Sequence, residues 1–171
     1  MTTTTMERTG MHGMTGMTSP VGVPGMGMPG VTPASSSYLM VPRCTIKYEK
    51  CQGGMKVTCV CDDPMSRSMM QNLCSVLAGG MCSCYCTLNG MTVCSYNFTM
   101  GMCRCEMTDT GVCFTCTTGD QKCCEMLQAC CDCLSSCCNA GCTCCFCINN
   151  TPVCCGYSEA YAAATRTPSK R

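Results

Sequence analysis

Cysteine fills 26 of the 171 positions, and its clustering constrains this chain more than any other feature. Runs such as Cys82-Ser83-Cys84-Tyr85-Cys86 and Cys142-Thr143-Cys144-Cys145-Phe146-Cys147 are too dense to be ordinary packing. Leu, Ile, Val and Phe together number 21, about 12% of the chain, well under the fraction with which a typical domain offsets its chain entropy. A core so short of aliphatic side chains must be braced by sulfur, either through metal–thiolate bonds or through disulfides.

Charge narrows the range of partners. The net charge is +1 with 12% charged residues, and the one basic run, Ser169-Lys170-Arg171, is short, so nucleic acid is not an expected partner. No stretch of about 18 apolar residues exists to span a bilayer, so neither is a membrane. The segment Met1-Thr2-Thr3-Thr4-Thr5-Met6-Glu7-Arg8 lacks the basic and apolar regions of a secretory signal. The expected compartment is therefore the cytoplasm, where thiols stay reduced and open to metals.

Residues 1–42 form a Met/Gly/Thr/Pro-rich tail without cysteine or apolar periodicity, expected to be disordered. From Cys44 to Cys155 the chain repeats itself. Val57-Thr58-Cys59-Val60-Cys61 matches Val112-Cys113-Phe114-Thr115-Cys116, and each is followed by a helix start: Asp63 as N-cap with Pro64 behind it, and Asp120 as N-cap. Glycines Gly79-Gly80 and Gly141 end the two helices. A hairpin then follows in each half, Cys84–Cys94 around Asn89-Gly90 and Cys145–Cys154 around Asn149-Asn150, which aligns Tyr85 with Phe146. The expected fold class is α+β, a small Cys-rich pair of duplicated ββαββ units over 43–97 and 98–157, with a C-terminal tail at 158–171 that can form a turn or two of helix.

The candidate ligands follow from facing. Residues two apart on a strand share a face, so Cys82, Cys84 and Cys86 form a row, as do the pairs Cys59/Cys61 and Cys103/Cys105. On the second helix Cys123, Cys130 and Cys137 recur every seven residues, and Cys124, Cys131 and Cys138 repeat the pattern one position over, with Met126 and Cys133 between turns. Cys113 and Cys116 make a CxxC pair, and Cys142, Cys144, Cys145, Cys147, Cys154 and Cys155 supply CxC and CC steps. Soft thiolates favour Cu(I), Zn(II) or iron–sulfur clusters. The ferredoxin run closing in Cys-Pro is missing, and no second knuckle stands at zinc-ribbon distance from Cys113/Cys116. His12 is the sole histidine and lies outside the cysteine-rich region, so mixed Cys/His sites, a catalytic base and enzyme activity are not expected there.

Four thiolates per ion allow about six zinc ions at most, so the cysteine count suits polynuclear clusters better than one structural site. Met11, His12, Met14, Met17, Met26 and Met28 add a thioether-rich segment for metal capture, which tilts the choice toward Cu(I) over Zn(II). The alternative is a disulfide-cross-linked structural protein of a coat or extracellular layer, which an even cysteine count also fits. Sites on the second helix seven residues apart stand about 10.5 Å apart along its axis, too far to bridge one another, so they need strand partners or a metal.

Cys142-Thr143-Cys144-Cys145-Phe146-Cys147 and Cys130-Cys131-Asp132-Cys133 resemble the CxC and CC clusters of metallothioneins, and the thiol-lined helix 121–139 is similar in idea to those of bacterial copper-storage proteins. The resemblance is at motif level and covers about a third of the chain. It implies ligand chemistry and a storage or detoxification role. It does not carry the fold, since metallothioneins have almost no regular structure and copper-storage proteins are four-helix bundles.

Overall fold

The computed structural model describes residues 41–166. In chain order they form β1 (Arg43–Cys51), β2 (Gly54–Val60), α1 (Pro64–Val76), β3 (Cys82–Leu88), β4 (Met91–Asn97), β5 (Met102–Met107), β6 (Gly111–Thr117), α2 (Gln121–Asn139), β7 (Thr143–Ile148), β8 (Thr151–Tyr157) and α3 (Glu159–Thr165). The class is α+β. One mixed sheet of eight strands runs β4-β3-β7-β8-β1-β2-β6-β5.

Local chemistry accounts for the boundaries. The carboxylates of Asp63 and Asp120 accept from the backbone N–H of Ser66 and Cys123, both at 2.8 Å, which satisfies orphan donors at the starts of α1 and α2. Pro64 opens α1, where its missing N–H costs nothing. Asn89 and Gly90 both take positive φ, 51° and 79°, the twist-matched two-residue turn between β3 and β4. Asn149 and Asn150 do the same between β7 and β8. Ser158 caps the short α3 through the N–H of Tyr161.

The sheet has two antiparallel halves, β4-β3-β7-β8 and β1-β2-β6-β5. They meet at a parallel seam of β1 with β8, three residue pairs long: Arg43 with Cys155, Cys44 with Gly156 and Thr45 with Tyr157. Helix α1 leads from β2 in one half to β3 in the other, and α2 leads from β6 to β7. Strands from the two ends of the chain therefore interleave in one sheet with one core, where the sequence pattern describes two units side by side.

Phe114 on β6 and Phe146 on β7 are far apart in strand order, yet their rings stack with centroids 4.0 Å apart. The sheet must therefore curl until its halves face each other, and Phe98 extends the stack at 6.2 Å from Phe146. Ile46, Val57, Val112, Met70, Leu127 and Leu134 complete a core whose other members are largely cysteines. The match of Tyr85 with Phe146 is corrected here. Phe146 opposes Cys84, whereas Tyr85 opposes Cys145 on the other face. A slip of one residue in the alignment exchanges faces, and so Tyr85 is half-buried while Phe146 is sealed.

Candidate metal centre

Strand alternation aims the sulfurs. Cys59 opposes Val112, Cys84 opposes Phe146 and Cys86 opposes Cys144, so these thiols point into the core with the aromatic and aliphatic residues. Two matching irregularities add to the set. A two-residue turn at 89–90 would pair Cys86 with Val93, but a bulge between Cys86 and Thr87 moves the pairing to Cys94. In the same way a bulge between Phe146 and Cys147 pairs Phe146 with Cys154 instead of Val153. Each bulge re-aims one cysteine of its hairpin toward the interior.

The first sulfur group lies at the seam, beside α1. The Sγ atoms of Cys44 on β1, Cys59 on β2 and Cys154 on β8 all lie within 4.8 Å of one another, and Cys154 donates to Cys59 at 2.9 Å. Cys61, just beyond β2, sets its thiol against that of Cys44. The thioether of Met70 sits 4.0 Å from Cys61 and is fully buried. Nearby, Cys74 of α1 donates to Cys105 of β5.

The thiols of this group are strongly coupled. The hydrogen bond with Cys154 pushes Cys44 well up, with Cys61 and burial adding to it. Burial, above all, raises Cys154. For Cys59 the bond from Cys154 lowers the thiol, but the bond with Cys44 and complete burial outweigh it. Cys61 moves the other way because Cys44 donates to it, against the cost of burial and with help from the nearby Arg67 guanidinium. A charge on one sulfur is thus tolerated only where a neighbour's proton faces it.

The second group lies beside α2. Cys86, Cys138 and Cys144 form one triad and Cys86, Cys94 and Cys137 another, each with all Sγ atoms within 4.8 Å. Cys86 belongs to both, 2.7 Å from Cys144, while Cys94 reaches Cys137 at 3.8 Å. Cys138 and Cys144 also stand at disulfide distance. Burial raises Cys94 to about 11 and Cys137 to about 12. Cys84 lies beside the group, 2.7 Å from the Tyr48 hydroxyl, and its hydrogen bond is the main reason that Cys86 is raised. Cys133 meets the Tyr96 hydroxyl and pushes it up.

The remaining expected ligands are spread more widely. Cys103 and Cys116 face each other across β5 and β6 at disulfide distance, as do Cys145 and Cys155 across β7 and β8. Cys82 is buried near the Gly80 carbonyl and raised to about 11 by that burial. Cys113, Cys142 and Cys147 are buried in or next to the sheet. On α2, Cys130, Cys131 and Cys138 face the core, Cys123, Cys124 and Cys133 lie at its margin, and Met126 faces solvent. Met11, His12, Met14, Met17, Met26 and Met28 lie outside the described residues.

Cys44, Cys74 and Cys94 complete these groups without having been singled out from sequence. Cys44 had a signal, since it alternates with Ile46 and Tyr48 on the inner face of β1. Comparison with protein-family models, curated proteins and solved structures finds no match. Among the described residues, no helix is long and apolar enough to cross a membrane.

Proposed function

We propose that this protein binds several soft metal ions through clustered thiolates and stores or detoxifies them, with Cu(I) as the main cargo and Zn(II) as the alternative, and that it is not an enzyme. The observation that carries this reading is the convergence of sulfurs at two places inside one core, with Cys86 common to two triads. Three thiolates complete a Cu(I) shell, and a thiolate common to two triads can bridge two ions. Protons hold these sulfurs neutral in the absence of metal, and a soft cation can take the protons' place. The cytoplasm is the compartment that keeps such thiols reduced. Met11, His12, Met14, Met17, Met26 and Met28 supply the capture chemistry in this reading.

Native mass spectrometry of the reduced full-length chain after loading with Cu(I) or Zn(II) tests it. Several ions per chain are expected, and a mass equal to the metal-free polypeptide overturns the proposal. The three pairs at disulfide distance favour a second reading, a disulfide-braced structural protein. Thiol titration in denaturant separates the two. Reaction of all 26 thiols, the six in those pairs included, supports the first, and near-complete oxidation supports the second.

The element order is also consistent with an internal duplication, which we include in the proposal. Thr58 and Cys113, aligned by sequence, oppose each other in the β2/β6 pair, as residues on a local two-fold axis would.

A further inference from the structure

The parallel seam is the weakest join in the sheet by backbone bonding, with three residue pairs where the neighbouring β1/β2 ladder has seven. The two main chains run unusually close there, since a Cβ at position 156 would overlap the carbonyl oxygen of Cys44. At this join Cys44 comes from β1, Cys59 and Cys61 from β2 and its end, and Cys154 from β8. Three sulfurs from both halves thus meet within 4.8 Å across the shortest ladder, and Cys61 adjoins the set through its contact with Cys44. Met70 closes the site from the α1 side.

We infer that Cys44, Cys59, Cys61 and Cys154 form a four-thiolate site for one divalent cation of tetrahedral preference, of the zinc class, and that this ion is structural, clamping the two halves of the sheet at the β1/β8 seam. The inference rests on the thiolate-binding reading and deepens it by separating a fixed ion from an exchangeable cargo beside α2. Four thiolates complete a closed tetrahedral shell and leave no open position, the arrangement of structural rather than catalytic sites. On binding, four S–H bonds are replaced by four metal–sulfur bonds and up to four protons leave to solvent.

The resulting complex carries two net negative charges, and the Arg67 guanidinium, held by the carbonyls of Cys61 and Asp109, stands next to it to offset part of them. Access runs through a groove of about 900 Å³ lined by Cys44, Asp62, Asp63, Met65 and Met69. Cys44, half-buried, is the member of the set that borders it.

The test uses the reduced, full-length chain. One equivalent of Co(II) added to wild type should give the ligand-field spectrum of a tetrahedral all-sulfur site, and one equivalent of Zn(II) should displace it. Cys59→Ser and Cys154→Ser should lose that spectrum and one Zn(II) per chain by native mass spectrometry, whereas Cys51→Ser, at the far end of β1 and outside both sulfur groups, should keep both. Because the buried substitutions can unfold the chain, hydrogen exchange on wild type alone gives an independent readout. One equivalent of Zn(II) should slow exchange of the Cys155 amide, which bonds the Pro42 carbonyl beside the seam, by about tenfold or more, as expected when an ion binds the closed state only. Unchanged exchange, or seam variants that bind as many ions as wild type with the same Co(II) spectrum, overturns the structural site and leaves the general reading standing. No binding of any ion to wild type overturns both.

Discussion

Cys154 and Cys94 occupy matching places, each brought inward by a bulge in a hairpin with a two-residue turn, yet they enter unlike surroundings. Cys154 joins sulfurs supplied by strands and a strand end, and both Cys154 and Cys59 are sealed from solvent. Cys94 joins a group that takes Cys137 and Cys138 from α2, in which Cys94 and Cys137 are half-buried and Cys138 pairs with Cys144. The same local device thus serves a closed cross-strand site at the seam and a more open helix–strand site beside α2. The difference lies in what supplies the partners. The ladders within each half hold their strands and leave only the three-pair seam to be clamped, whereas a helix can shift as a unit and let an ion pass.

The largest effect should come from taking the metal away. A structural thiolate ion contributes on the order of 10 kcal/mol of binding free energy to folding, so chelation of the reduced, zinc-loaded chain should lower Tm by about 20 °C or more. Circular dichroism melts check it, and the comparison breaks if Cys94→Ala/Cys137→Ala loses as much metal-dependent Tm as Cys59→Ala/Cys154→Ala.

Next in size is the aromatic stack of the core. Phe146→Ala removes a fully buried ring in contact with Phe98 and Phe114, and should cost about 3–5 kcal/mol in denaturant unfolding. If the groups are independent in metal affinity, Zn(II) stoichiometry should survive in whatever fraction remains folded.

pH distinguishes the two states of the molecule. Thiols whose folded values are raised above the ordinary one stabilise the reduced, metal-free fold fully below that ordinary value. They lose the contribution as pH climbs toward the folded values. With Cys82, Cys94 and Cys131 at about 11 and Cys137 at about 12, metal-free protein should weaken above about pH 9 and continue to do so through 11–12. The metal-loaded protein should behave oppositely, since protons compete for its sulfurs, and weaken as pH falls. Denaturant midpoints across pH, with and without Zn(II), check both signs, and parallel curves would refute them.

The smallest effects should come from the helix ends and the surface. Asp63→Ala and Asp120→Ala should each cost about 1 kcal/mol through the lost caps of α1 and α2. Lys50→Ala, which removes an exposed 2.8 Å ion pair to Asp132 on α2, should cost well under about 1 kcal/mol. If Lys50→Ala instead speeds metal release beside α2, the helix is held there by that contact, and the contrast between the groups sharpens.

Caps, turns and strand parity were legible in the chain because they are local. Asp63, Asp120 and Asn89-Gly90 carry their own chemistry, and the row Cys82, Cys84, Cys86 follows from alternation alone. The convergence of sulfurs was not legible. Cys94 turns inward because of a bulge that no residue type announces, and simple hairpin counting points to Val93 instead. Cys44 and Cys154 meet because the two ends of the domain form a parallel pair, a choice of topology with no mark in either strand. The alignment of Tyr85 with Phe146 failed for a related reason, since similar CxC patterns fit two registers equally well and the faces differ between them.

The seam has a temporal consequence as well. Cys59 and Cys154 are separated by 95 residues, so at ordinary translation speeds the first thiol leaves the ribosome roughly 5–20 s before its mate. During that interval the nascent chain holds an incomplete ligand set, with Cys61 close enough in sequence to compete for whatever Cys59 attracts. Productive maturation therefore calls for surroundings in which ions are buffered and oxidants scarce until the last hairpin has emerged.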